Sequence, residues 1–339
     1  MTRILGAGAS TRLKLAAALV AIAAAVALPY VVSHYQVTVA SLILVSAVLA
    51  TSINFMAGNV GLLSLGHAGI AASAGYGLAW AALHGFGLGG QLLIAGGLTV
   101  VSSFVFGITS MRTNGIFFLM ATLALGMVVF GLSYRMAPIT GGENGLSGIR
   151  RPSLFAEYWT FYFAVLAVFV LVTVAVWTVG RSPFGITLRS IRESESRAQS
   201  LGYNVAAYKL GAMMISGLVA GVAGVFAVWS IEFISPASGS FVKSALAALM
   251  VILGGVGTLL GPLIGASVVL GVEHILSSYI ERWPTVLGLI FIVVIIYAPN
   301  GIGGVGRDLR KWRVGRKRRR ADPQPEIEPA SVSLNDGSD

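Results

Sequence analysis

Apolar runs close to 20 residues long recur through this chain, and one charged insert, 181–208, interrupts them. A helix needs about 20 apolar residues to cross a bilayer core of about 30 Å. Only 11% of the 339 residues are charged and 56% are hydrophobic. A soluble domain of this length needs more charge to cover its surface. Backbone groups in lipid must pair internally, and the short alternating strands of a barrel are missing, so the reading is an all-α, polytopic transmembrane helix bundle. The 43 glycines fit it, because small residues let membrane helices approach closely.

Runs and breaks place spans at 15–32, 37–56, 60–83, 91–110, 115–134, 159–180, 208–231, 244–254, 258–278 and 284–299. The stretch 241–278 is too long for one span, about 57 Å at about 1.5 Å per residue. The break Gly254-Gly255-Val256-Gly257 lets it fold back as two, the first unusually short. Charge supports that division. Lysine and arginine at span ends are retained in the cytoplasm. With about ten spans, the N-terminal segment 1–14, the turn at Arg112, the insert and the basic run 307–320 all face inward, so both termini are cytoplasmic. The first span also resembles a secretory signal, and its cleavage would leave the later orientation unchanged. The division expected is therefore a cytoplasmic N-terminus 1–14, a membrane domain 15–306 carrying the insert, and a tail 307–339 that is basic, then polar and disordered.

The net charge of +10 lies largely in these inward-facing stretches. It sets orientation and can touch anionic lipid heads, and gives no reason to expect nucleic acid. There is no cysteine, hence no thiolate chemistry. No phosphate-binding G-x-x-x-x-G-K-[ST] loop and no H-E-x-x-H pair occur, and the four histidines are dispersed. No metal, cofactor or catalytic constellation is expected. The chain reads as a transport component, not an enzyme.

Within the insert, Leu188, Ile191, Ala198 and Leu201 give one apolar stripe, and Arg189, Arg192, Glu193, Glu195 and Arg197 stay polar. Arg189 and Glu193 stand at i,i+4 spacing for an ion pair. Pro183 and Gly185 open the segment, and Gly202 with Asn204 closes it. A short amphipathic helix below the membrane is expected, either seated on a partner or resting on lipid heads.

The sequence RSPFGITLRSIRESESRAQSLGYNVAAYKL (181–210) resembles the cytoplasmic loop of LivM-type permeases of branched-chain amino acid ABC transporters. GLLSLGHAGI (61–70), TGGENGLSGI (140–149), GGVGTLLGPLIGA (254–266) and SSYIERWPTVLGLIFIVVIIYAPNGI (277–302) are similar to further segments of that family, in the same order. Arg197 stands where the family usually carries a small residue. The resemblance implies a type II ABC importer-like membrane domain in the bacterial inner membrane. It further implies a second permease subunit of LivH type, two cytoplasmic ATPases and a periplasmic binding protein as partners. The insert would be the helix that couples the ATPases to the bundle, with Arg189, Arg192, Glu193, Leu201 and Gly202 at the contact. Uptake of urea or short amides is the near alternative, since those permeases share the motifs. A self-sufficient ion-coupled carrier is a more distant one.

Polar residues inside spans are costly and so informative. Asn54, Asn59, Ser64 and His67 cluster around the second and third spans. They are candidates for the substrate path or for a hinge beside it, and for His67 helix–helix hydrogen bonding is the favoured reading. Glu232 and Glu273 fall near external span ends. Glu143 and Asn144, in the long external loop 135–158, are candidates for docking the binding protein.

Overall fold

The computed structural model describes residues 27–277, 279, 283–297 and 301–303. The N-terminal segment 1–14, residues 15–26 of the first expected span and the tail 307–339 lie outside them. Helix α1 (His34–Phe55) opens on a capping box at Ser33 and runs into a π-helical turn, Met56–Val60. Then come α2 (His67–Leu83), α3 (Leu88–Ser110), α4 (Gly115–Arg135) and α5 (Tyr158–Arg181). The insert forms α6 (Pro183–Glu193) and α7 (Glu195–Ser200). It is followed by α8 (Val205–Ile231), α9 (Phe241–Gly254), α10 (Gly261–Leu276) and α11 (Trp283–Tyr297). A two-residue antiparallel ladder pairs β1 (Leu146–Ser147) with β2 (Phe233–Ile234).

Five described helical segments are long and apolar enough to cross a membrane, and three shorter apolar ones accompany them. Helix α1 lies in the middle, packed by α5, α8, α9 and α10. Its central face, including Val45, Val48 and Ile53, belongs to the main apolar core.

The closest packing is made by glycines, against backbone or small side chains. Gly217, Gly221 and Gly224 form one ridge of α8. A Cβ on Gly224 would stand 2.0 Å from the Ala71 carbonyl oxygen of α2, and one on Gly221 would stand 2.3 Å from Thr99 of α3. No side chain fits there, which explains the glycine spacing of α8.

The fold-back at 254–257 is present. Gly255 and Gly257 take φ of +98° and +72°. Helices α9 and α10 then pack as a hairpin so tight that a Cβ on Gly265 would lie 1.7 Å from the Met250 carbonyl oxygen. With 14 residues, α9 is about 21 Å long and falls short of a full crossing.

Two expectations fail. The span placed at 60–83 begins only at His67, because Gly61 turns left-handed at φ +79°. Neighbours leave room only for glycine at the break: a Cβ on Gly61 would meet the Arg192 side chain at 2.7 Å, and one on Gly66 the Phe106 ring at 2.4 Å. The insert is two helices rather than one. Ser194 is extended between them, and its hydroxyl caps α7 by accepting from the Arg197 N–H.

Candidate functional site

The insert is fastened to the bundle at both ends. Ser182 caps α6 and Pro183 occupies its first turn, where a missing N–H costs nothing. At the far end Gly202 is left-handed, φ +85°, and Asn204 caps α8 by accepting from the Ala207 N–H at 3.1 Å. Leu188 is buried in a core with Phe55, Val60 and Met213. Ile191, Ala198 and Val205 form a separate small cluster against Tyr208. Leu201 departs from the expected stripe: it is 73% exposed. The end of α7 at Ser200 and the turn at Gly202 swing it off the helix face. Arg189, Glu193 and Gly202 are also exposed, and Arg189 and Glu193 form no ion pair among the described residues.

Arg192 is exposed too, but its guanidinium turns onto the bundle. Its Nη1 donates to the Gly58 carbonyl oxygen at 2.6 Å, inside the π-helical turn. Gly58 in turn abuts Gly257, where a Cβ on Gly58 would stand 2.8 Å from the Gly257 Cα. Asn54 completes the junction. Its Nδ2 donates to Thr258 O at 2.9 Å, and its Oδ1 accepts from the Gly257 N–H at 2.7 Å. Insert, α1 terminus and the α9–α10 turn are thus joined by three side chain–backbone bonds. Asn59 donates to Phe55 O at 3.2 Å, and its amide faces Gly180.

Sequence reasoning missed a second tie. Lys209, 4% exposed, donates to both Glu195 carboxylate oxygens at 3.0 Å and also to Asn114 Oδ1. It binds α7 and α8 to the turn that carries Arg112. A lone lysine at the start of an apolar span was the signal, since such a charge requires a partner.

Ser64 and His67 come together, in contact with α8 and α1. His67 Nδ1 lies 2.9 Å from Ser64 Oγ, and Nε2 lies 2.5 Å from Ser216 Oγ. Ser216 donates to Ser52 O at 2.6 Å, so its oxygen accepts from His67 Nε2–H. Ser64 then donates to Nδ1 and accepts from the Gly66 N–H at 3.2 Å. Both ring nitrogens are satisfied, with the tautomer assigned from this network.

At the opposite end, the glycine-rich loop is built by its backbone. Gly141, Gly142, Gly145 and Gly148 all have positive φ. A Cβ on Gly145 would stand 2.2 Å from Ile234 O, across the β1–β2 ladder. Arg151 donates to Trp229 O at 2.5 Å and Ser230 O at 2.7 Å, and pairs with Glu232 at 3.4 Å. These bonds cap the end of α8, where Glu232 is left-handed. Glu143 accepts from the Tyr134 hydroxyl at 3.1 Å, and Asn144 is exposed beside it.

The family described as branched-chain amino acid transport system permease component matches residues 35–298. The high-affinity branched-chain amino acid transport system permease protein LivM of Escherichia coli is 30% identical over 320 residues, 86% of this chain and 75% of that protein. The autoinducer 2 import system permease protein LsrC of Yersinia pseudotuberculosis is 26% identical over 255 residues, 70% of this chain and 69% of its own. A solved metal-chelate type ABC transporter, inward-facing, overlays with a TM-score of 0.46 at 19% identity, covering 78% of this chain and 87% of that one.

Proposed function

Because the chain belongs to the family of branched-chain amino acid transport permease components, we propose that it is the membrane-spanning subunit of an ATP-driven importer for branched-chain or other hydrophobic amino acids. It works in the bacterial inner membrane with a second permease subunit, two cytoplasmic ATPases and a periplasmic binding protein. It crosses the membrane about ten times with both termini inside. The bond from Lys209 to Asn114 supports this orientation, since it holds the Arg112 turn at the same end as the arginine-rich insert.

The observation that carries the reading is the insert itself. One face of α6 and α7 is buried in the bundle, and the other presents Arg189, Glu193, Leu201 and Gly202 outward. That outer face seats in the ATPase. When ATP closes the ATPase dimer, the insert moves as a lever. Arg192 passes the movement to Gly58, and the Gly58–Gly257 contact passes it to the α9–α10 hairpin. ATP can drive alternating access only if the two states differ in affinity for it, and this junction is where they differ.

Asn54, Ser64 and His67 act as joints of the bundle in this scheme, because their polar atoms are engaged by other helices and turns. Asn59 stands beside that junction. Glu143 and Asn144 meet the binding protein at the opposite end. Reconstitution in vesicles tests the proposal. Leucine uptake should require ATP together with the ATPases, the binding protein and the second permease subunit. Uptake by the purified chain alone would identify an independent carrier, and uptake of urea but not leucine would move the substrate class.

A further inference from the structure

A cavity of about 330 Å³ opens among α1, α2, α8, α9 and α10. Its body is apolar, lined by Val45, Leu49, Ala227, Leu246 and Met250 among others. One end is different: Lys243 from the first turn of α9 and Glu273 and His274 from the last turn of α10 also line it. The tight α9–α10 hairpin brings those two turns to the same end, remote from the insert. Lys243 and Glu273 form no ion pair among the described residues, and His274 meets the Tyr35 ring edge-on. An apolar body closed by one free cation and one free anion matches a small molecule with the same three parts.

We infer that this cavity is a transit site for an aliphatic amino acid, with the side chain in the apolar body, the carboxylate toward Lys243 and the ammonium toward Glu273. The inference rests on the importer reading above. The volume is at the lower end of small-molecule pockets, which suits a ligand of this size. Only the aliphatic chain leaves water, since Lys243 is exposed and Glu273 half-buried. Binding is therefore weak enough for onward release. Urea has neither an apolar part nor a net pair of charges, and gains nothing here. The location fits delivery from outside. Ile234 lines the cavity and is the ladder partner of Leu146, two residues beyond the docking candidate Asn144. A binding protein seated on that loop would release its cargo one strand away from the opening.

The chain has no cysteine, so a single introduced thiol reports its own surroundings. Leu246→Cys and Ser46→Cys, each in the assembled transporter in nanodiscs, are labelled with a methanethiosulfonate reagent, with Val100→Cys on α3 as a position outside the cavity. Millimolar leucine should slow labelling of both cavity thiols at least fivefold and leave Val100→Cys unchanged. Urea and isovalerate, which lacks the ammonium, should not protect. Lys243→Gln should abolish protection by leucine. Unchanged labelling of the cavity thiols in a transporter that still takes up leucine with ATP would overturn the site and leave the importer reading intact. Protection that follows the lipid composition and ignores leucine would overturn it too. Loss of ATP-dependent leucine uptake from the unmodified transporter would remove the importer reading first, and the site with it.

Discussion

The two ends of the bundle are built from different materials. The end that carries β1 and β2 is fixed chiefly by backbone, four glycines at positive φ and a ladder, with one side chain, Arg151, bound to two carbonyl oxygens at the end of α8. The insert end is fixed by side chains reaching between elements, chiefly Arg192, Lys209 and Asn54. Backbone geometry has essentially one arrangement. Long side chains can exchange partners within a few ångströms. On the proposed reading, the glycine-rich end would hold a constant surface for a docking protein, and the insert end would move.

The largest effect is expected where the rigid end is broken. Gly145→Val places a β-branched residue at φ +69° and its Cβ against Ile234 O. Backbone strain alone costs about 1–3 kcal/mol, and the clash adds to it. Folded yield and thermal midpoint in detergent should fall sharply. Normal yield would mean the loop is not held as described.

At the insert end the next largest loss should come from Lys209→Met, which leaves Glu195 unpaired beside the membrane domain. Because Glu195 is partly exposed, the cost is discounted to about 1–2 kcal/mol. The double variant Lys209→Met/Glu195→Gln should recover part of it, and a double-mutant cycle reads the coupling directly. Strict additivity would show that the pair contributes nothing to the insert's seat.

Arg192→Ala sharpens the comparison differently. It deletes one bond to Gly58, worth about 1.5–3 kcal/mol at most for a charged donor and less at an exposed site. Stability should change little. Transport should change much: ATP hydrolysis by the assembled complex continues while uptake falls about tenfold or more. Matched loss of hydrolysis and uptake would place Arg192 at the ATPase contact instead of in the chain that transmits movement.

Much of this architecture is legible in the sequence, for physical reasons. Hydropathy runs located α1, α3, α4, α5 and α8 closely, because lipid leaves a helix little choice but to be apolar for its whole length. Four residues, Gly254-Gly255-Val256-Gly257, were enough to divide 241–278, because no other break in that stretch permits left-handed backbone twice. The late start of α2 was not readable. GLLSLG has the hydropathy of a helix, and the close approach of the Arg192 side chain to Gly61 and of the Phe106 ring to Gly66 depends on elements distant in sequence. The same holds for Lys209 with Glu195 and Asn114, and for His67 with Ser216: each depends on helices whose contact is not encoded in local spacing. Ser194 was readable in principle, since serine followed by a short acidic helix start is an N-cap signature, but the surrounding periodicity pointed to one continuous helix.

Leu201→Ser carries the smallest structural effect and the most selective functional one. At 73% exposure the leucine buries little within this chain, so stability should stay within about 0.5 kcal/mol. A large apolar side chain this exposed, on the same insert as the exposed Arg189 and Glu193, gains only when something covers it. If the insert seats in an ATPase as proposed, the substitution removes the burial of a leucine, about 1.5–3 kcal/mol, from that interface alone. Copurification of the ATPase should weaken about tenfold or more, with thermal midpoint and membrane insertion unchanged. A fall in midpoint with no change in ATPase retention would mean that Leu201 packs inside the bundle and that the outer face of the insert lies elsewhere.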